Sequence, residues 1–313
     1  MSNKVIPIFY ACDDAFVKYT IVSLKSIIEN ASKDYQYKVH VLHTDISLDM
    51  MNKTKELAND NFSIEFNNVD SFLKSISHKL PLRHYYSKTT YYRLFIAEMF
   101  PDYDKAIYID SDTVVLGDIA ELYNHDLGDN YIGACNEQAM VQVDVYGTYC
   151  ETVVGVDRNQ FFNAGMMVIN CVQFRQKKIL DQFIKLLGTY NFIVTQDEDY
   201  LNVICKGKVK WIDNSWNTEV IGDIKYSDDE INMIHYIMVA KPWQFHDCRL
   251  KHHFWKYAEM TSVYQEILDV LNNYTDEQRA KAMASADELY QMAIDETARP
   301  DSYWKVVSAQ CQK

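Results

Sequence analysis

Seven residues near the start of the chain, Val5 to Ala11 (VIPIFYA), are apolar on both alternating faces, and two aspartates, Asp13 and Asp14, follow almost at once. A strand without a polar face must be covered on both sides, which is the condition of an inner strand in a helix-flanked, parallel sheet. The next residues supply the cover. From Phe16 to Asn30 apolar residues recur at helical spacing (Ile21, Leu24, Ile28), and Lys38 to His43 alternates as a strand does. Leu48 to Asn59 reads as a second helix and Phe62 to Phe66 as a third strand. The alternation predicts an α/β fold: a mixed, mainly parallel sheet flanked by helices, Rossmann-like, with right-handed crossovers.

Further along, Thr89 or Thr90 can cap a helix that carries Tyr91, Leu94, Phe95 and Met99 on its apolar turns and encloses Arg93; Pro101 stops it. Lys105 to Asp110 (KAIYID) is a short apolar strand running into Asp110-Ser111-Asp112. Strands are predicted at Tyr131–Cys135, Gly165–Asn170, Lys208–Ile212 and Ile231–Ile237, and helices at Phe174–Tyr190 and from Gln196. Thr275 with Gln278 matches a capping box, so a helix should run from Tyr274 to about Asp295. No linker-like stretch divides the chain. We assign residues 1–248 to one α/β domain and 249–313 to a C-terminal helical extension.

Composition narrows the chemistry. Glycine and proline (9 and 5 residues) make up about 4% of the chain, against roughly 12% in average proteins. There is no G-x-G-x-x-G and no G-x-x-x-x-G-K-[ST], so no glycine-rich cradle of amides is available for phosphates, which must be met by a metal or by side chains. The net charge of −13 repels a phosphate backbone, and nucleic acid is not an expected partner. Seven scattered cysteines without a C-x-x-C pair read as reduced and mostly buried. The N-terminus lacks the layout of a secretory signal, and no run of 18 apolar residues occurs; the expected location is the cytoplasm, with peripheral contact at the inner face of the membrane as an option.

Asp110 and Asp112 are the sharpest chemical feature. Residues two apart on an extended chain project to one side, and two carboxylates at the end of an apolar strand call for a cation. In open α/β sheets that end of the strand is where ligands bind. Hard oxygen ligands suit magnesium or manganese, ions that commonly share their coordination with substrate phosphates. His235, in the apolar run INMIHYIM, is either a satisfied core histidine or a third ligand, and as a ligand it favours manganese. Gln196-Asp197-Glu198-Asp199 places three acids in a row, suited to a site or to a helix N-terminus. Phe162-Asn163-Ala164-Gly165 presents an amide and a glycine before an apolar strand, for a ligand or for a turn.

Six motifs in order resemble family 8 of the retaining glycosyltransferases, which includes bacterial lipopolysaccharide galactosyl- and glucosyltransferases and, more distantly, glycogenin. They are Tyr10–Asp14, Thr89–Leu94, Ile107–Asp112, Phe162–Gly165, Gln196–Asp199, and His235-Tyr236 with Lys241-Pro242-Trp243. The resemblance implies the A-type glycosyltransferase fold and a UDP-sugar donor, UDP-galactose or UDP-glucose, bound with manganese or magnesium. It implies that Asp13 faces the uracil, that Asp110, Asp112 and His235 hold the metal, and that Lys241 meets the diphosphate. Arg93, Asn163, Asp197 and Asp199 would hold the donor sugar. The acceptor class it implies is a glycan, glycolipid or glycoprotein, as in cell-surface polysaccharide synthesis.

Two positions depart from the family pattern. Where the family often has glutamine beside the reacting carbon, this chain has Glu198, and a carboxylate there could attack the anomeric carbon. Where the family commonly has a glycine between the histidine and the lysine, this chain reads Ile237-Met238-Val239-Ala240. Two other readings fit part of the sequence: a UDP-sugar-binding subunit without catalysis, and a phosphatase of the haloacid dehalogenase type, whose first motif Asp110–Val114 also resembles. Arg249 to Tyr257 (RLKHHFWKY) suits either a membrane interface or a helix that packs Phe254 and Trp255 on the domain.

Overall fold

A computed structural model describes residues 5–76 and 88–311. Seven strands form the main sheet: β1 (Val5–Ala11), β2 (Gln36–His43), β3 (Phe62–Asn68), β4 (Lys105–Ile109), β6 (Ile132–Asn136), β7 (Phe162–Asn170) and β8 (Val209–Trp211). Three short strands, β5 (Thr113–Val115), β9 (Thr218–Glu219) and β10 (Met233–His235), form a second sheet in the order β5-β10-β9. The main sheet runs β3-β2-β1-β4-β7-β6-β8, and β7 alone opposes the direction of its neighbours.

The prediction of a doubly covered β1 rests on its lack of a polar face, and the packing follows. Ile6, Ile8 and Tyr10 enter one apolar core and Phe9 the core on the opposite side of the sheet. Tyr108 in β4 joins Phe9, whereas Ile107 and Ile109 join Ile8. The ladder from β1 to β4 begins at Ile8, so Pro7, which has no N–H to give, stands before that pairing starts. All seven cysteines are free, six of them buried and Cys311 exposed.

Several elements differ from the periodicity reading for identifiable reasons. The helix expected from Phe174 to Tyr190 is two, Cys171–Gln176 and Ile179–Thr189, broken where Lys178 turns through φ 53°. Thr89 and Thr90 do not stand at the start of the α-helix: they lie inside a 3-10 segment, Lys88–Phe95, and regular α-helix begins at Ile96. The motif residues Asn163 and Gly165 sit within β7, which starts three residues before the predicted strand, at Phe162. The capping box at Thr275 forms with both reciprocal hydrogen bonds and opens the helix Asp276–Ala298. Among the described residues, no helix is long and apolar enough to cross a membrane.

Candidate active site

The site is assembled where the two sheets meet. β4 ends at Ile109, and the Asp110 N–H still donates to Gly165 O (2.7 Å), which extends the pairing with β7 by one residue. The chain then turns through Ser111 and Asp112 and enters β5. β5 pairs antiparallel with β10, with Thr113 opposite His235, and the Tyr236 N–H donates to Asp112 O (2.9 Å). The aspartates therefore meet the histidine through a change of sheet rather than along one extended strand.

One carboxylate oxygen of Asp110, one of Asp112 and one imidazole nitrogen of His235 lie within 4.8 Å of one another. His235 Nε2 is 3.2 Å from Asp112 Oδ1. Its Nδ1 faces Asn217 Oδ1 at 3.0 Å. An amide oxygen only accepts, so Nδ1 carries a proton and Nε2 is the nitrogen turned to the carboxylates, the arrangement a metal-ligating imidazole needs. Gly165 lies against all of this: a Cβ there would stand 2.3 Å from His235 Cε1 and 2.6 Å from Asp110 Oδ2. Two carboxylates and one correctly protonated imidazole, packed so closely that no side chain fits at Gly165, match the donor set of a hard divalent cation.

Cations of the protein already flank the pair. Lys241 Nζ lies 2.6 Å from Asp112 Oδ2 and also donates to Tyr236 O. Burial pushes the Asp112 carboxyl upward, but Lys241 and His235 together outweigh it and hold the group well below the usual carboxylate range. Arg93, buried and stacked 4.5 Å over the Tyr108 ring, reaches Asp110 Oδ1 at 3.3 Å with one nitrogen and Asp197 Oδ2 at 3.0 Å with another. It links Asp110 to the acidic helix Asp197–Ile204. A cavity of about 240 Å³ is lined by Arg93, Asp110 and Asp112 together with Asp13 and Phe16.

The three acids of the helix part company. Asp197 faces Arg93, and burial raises its carboxyl to about 7. Glu198 Oε2 accepts from the Ala164 N–H (2.7 Å), and burial, then neighbouring Glu137, lift it well above the ordinary range. Asp199 accepts from Tyr149 OH (2.8 Å) and the Thr195 N–H (3.1 Å); burial raises it to about 7. Asn163 donates to Glu137 Oε2 and accepts from the Gly165 N–H (2.9 Å), so its amide is oriented beside the same glycine.

Glu137, Glu219 and Asn217 take part in this arrangement, and the motif reading missed them. Glu137 and Glu219 are both buried, each exposing 5% or less of its surface, and Glu219 Oε1 and Asn217 Nδ2 have no hydrogen-bond partner among the described residues. A second cavity, about 360 Å³, borders Asn217 and Glu219. Glu137 was findable: it follows an apolar strand at its carboxyl end, as Asp110 does. Asn217 ends a four-residue 3-10 turn and Glu219 belongs to a two-residue strand, both too short to register as periodic.

Helix Lys251–Ala258 carries the basic-aromatic segment. Phe254 packs on Trp243 (ring centroids 5.2 Å apart) and Trp255 on Tyr264 (6.2 Å), so both rings are engaged with the protein.

Comparison with known proteins agrees with the geometry. A Haemophilus influenzae protein described as a glycosyltransferase is 31% identical over 224 residues, 69% of this chain and 64% of its own length. A lipopolysaccharide 1,3-galactosyltransferase of Salmonella typhimurium is 27% identical over 52% of this chain and 52% of its own. This chain thus spans less than two thirds of either relative. The solved structure of LgtC, in an active-site variant with glutamate in place of glutamine, superposes with a TM-score of 0.67 at 27% identity, covering 82% of this chain and 96% of that one. The fold is that of the A-type glycosyltransferases. The family model described as glycosyl transferase family 8 matches residues 7–247, and the chain belongs to that family.

Proposed function

We propose that this protein is a retaining glycosyltransferase that moves galactose or glucose from a UDP-sugar to a hydroxyl of a glycan, glycolipid or glycoprotein. The observation that carries the reading is the convergence of Asp110, Asp112 and His235 around Gly165, at a cavity that Asp13 and Arg93 also line. These three side chains would hold manganese or magnesium. When bound, such a cation neutralises the charge that develops on the diphosphate as the glycosidic bond breaks.

The chain's own groups supply the rest. Lys241, within reach of Asp112, adds a second positive charge for the diphosphate. Arg93 fixes Asp197, and Asn163 is fixed by Glu137, so both are oriented before a donor sugar arrives. Glu198 is the departure that matters most. Burial, and then Glu137, favour the neutral form of the Glu198 carboxyl, and a neutral acid can donate a hydrogen bond much as an amide does. In this reading Glu198 replaces the family's glutamine in kind and is not a nucleophile.

The test is UDP release from a panel of UDP-sugars, with manganese, with magnesium and with chelator, for the wild-type protein and Asp112→Asn. Slow, metal-dependent hydrolysis of one sugar, lost in Asp112→Asn, supports the reading and names the donor. Tight UDP binding with no turnover of any donor, with or without acceptors, overturns it in favour of a non-catalytic binding subunit.

A further inference from the structure

Away from the cavity, the loop between β9 and β10 meets the first turn of helix Lys251–Ala258. There Asp228 Oδ2 lies 3.0 Å from His252 Nε2 and 3.2 Å from His253 Nε2. The two imidazole rings are 4.0 Å apart between centroids, and the three ligand atoms all lie within 4.8 Å of one another. Ligands bound at about 2.0–2.2 Å, at angles between tetrahedral and octahedral, stand roughly 2.9–3.5 Å apart. Both nitrogen–oxygen separations fall in that range, so an ion could be seated without moving the backbone.

We propose that Asp228, His252 and His253 form a second metal site, selective for zinc-like divalent transition ions. Two imidazoles and one carboxylate suit zinc, whereas magnesium and calcium require a set richer in oxygen. His253 is mostly buried, with 15% of its side chain exposed, while His252 and Asp228 are open at 63% and 57%. Water has room to complete the coordination.

The site has a structural consequence next to the proposed active site. The loop that carries Asp228 also carries Asp223, Ile224 and Tyr226, which line the 360 Å³ cavity beside Glu219. Arg249 Nη1 already donates to Gly222 O (2.7 Å) at the start of this loop. An ion on Asp228, His252 and His253 fastens the loop to the helix at a second point and fixes one wall of that cavity. The site stands independently of the transferase reading.

The probe is zinc chloride alone, titrated by equilibrium dialysis into tag-free, chelator-stripped protein in a Cys311→Ser background, so that the exposed thiol does not contribute. The parent should hold one tight equivalent that survives Asp112→Asn. That equivalent should weaken at least tenfold in Asp228→Asn and in the double variant His252→Gln/His253→Gln. Zinc should also raise the thermal midpoint of Asp112→Asn but not that of the double variant. The proposal is overturned if the double variant and Asp228→Asn bind zinc as the parent does, or if Asp112→Asn removes every tight equivalent.

Discussion

Gln196 adopts φ 53° and ψ −115°, a region that residues with a Cβ rarely occupy, and the next residue is Asp197. The turn sets how the helix enters the site, and the rotation of about 100° per helical residue then separates the three acids, with Asp197 toward Arg93 and Glu198 toward the Ala164 N–H. Such a conformation costs about 1–3 kcal/mol, and glycine adds roughly 0.5–1 kcal/mol of unfolded-state entropy. Gln196→Gly is therefore expected to gain about 1 kcal/mol of stability, read as a higher denaturant midpoint at unchanged slope; a lower midpoint would show that the turn is unstrained. Glu198→Gln keeps a neutral group in place and should retain donor turnover within about tenfold, whereas Glu198→Ala should not; loss of turnover in Glu198→Gln would point to an ionised nucleophile instead. Asp199 gives a pH prediction. Its folded value of about 7 lies above the ordinary carboxyl value, so the stability its protonated form contributes is full below about pH 4 and is lost as pH rises through 7. Asp199→Asn should remove that fall, so the stability difference between variant and wild type should shift in favour of the variant from pH 4 to 7; a difference that stays flat with pH would mean Asp199 is ionised throughout.

At the scale of elements, the small sheet decides whether two carboxylates and a histidine become one site. β5 and β10 bring His235 beside Asp112, and Asn217, just before β9, sets the imidazole's tautomer. Removing an outer partner of a metal-bound histidine typically costs 10–100-fold in metal affinity. Asn217→Ala should raise the manganese concentration needed for half-maximal donor hydrolysis by that factor while saturating manganese restores the rate; an unchanged requirement would mean that His235 is oriented by packing alone. The same sheet shows why the site was only partly legible. β1, its helix Val17–Asn30 and β2 are long enough for period to declare them, and Asp110 stands out because an apolar strand feeds it. β9 has two residues and β5 three, below the length at which alternation carries meaning, so nothing in the sequence marks Asn217 or Glu219 as neighbours of His235. Lys178 and Gln196 carry positive φ without glycine, which hid one helix break and one turn from a reading that relies on glycine and proline.

For the whole molecule, the question is whether the residues after Cys248 are an attachment or a part of the core. Trp243 stacks on Tyr19 at 3.8 Å between ring centroids, and Phe254 closes over Trp243 from the following helix. Tyr257 OH accepts from Asn30 Nδ2 (2.8 Å), which ties that helix to the first one of the fold. Phe254, Tyr257, Val263 and Ile267 are buried in the same apolar cluster as β1, and Leu271 is buried as well. At about 1.5–3 kcal/mol for each large side chain, they contribute roughly 8–15 kcal/mol, as much as the whole net stability of an ordinary domain, about 5–15 kcal/mol. A chain ended at Cys248 is accordingly expected to show no cooperative thermal transition by circular dichroism. A chain ended at Tyr274 keeps these five residues and should melt cooperatively, at a lower temperature than the full protein because it lacks the contact of Trp304 with Gly155 and the buried Ala293. If the shorter chain melts cooperatively within a few degrees of the full protein, the helices beyond Cys248 add nothing to the core that holds Asp110, Asp112 and His235 in place.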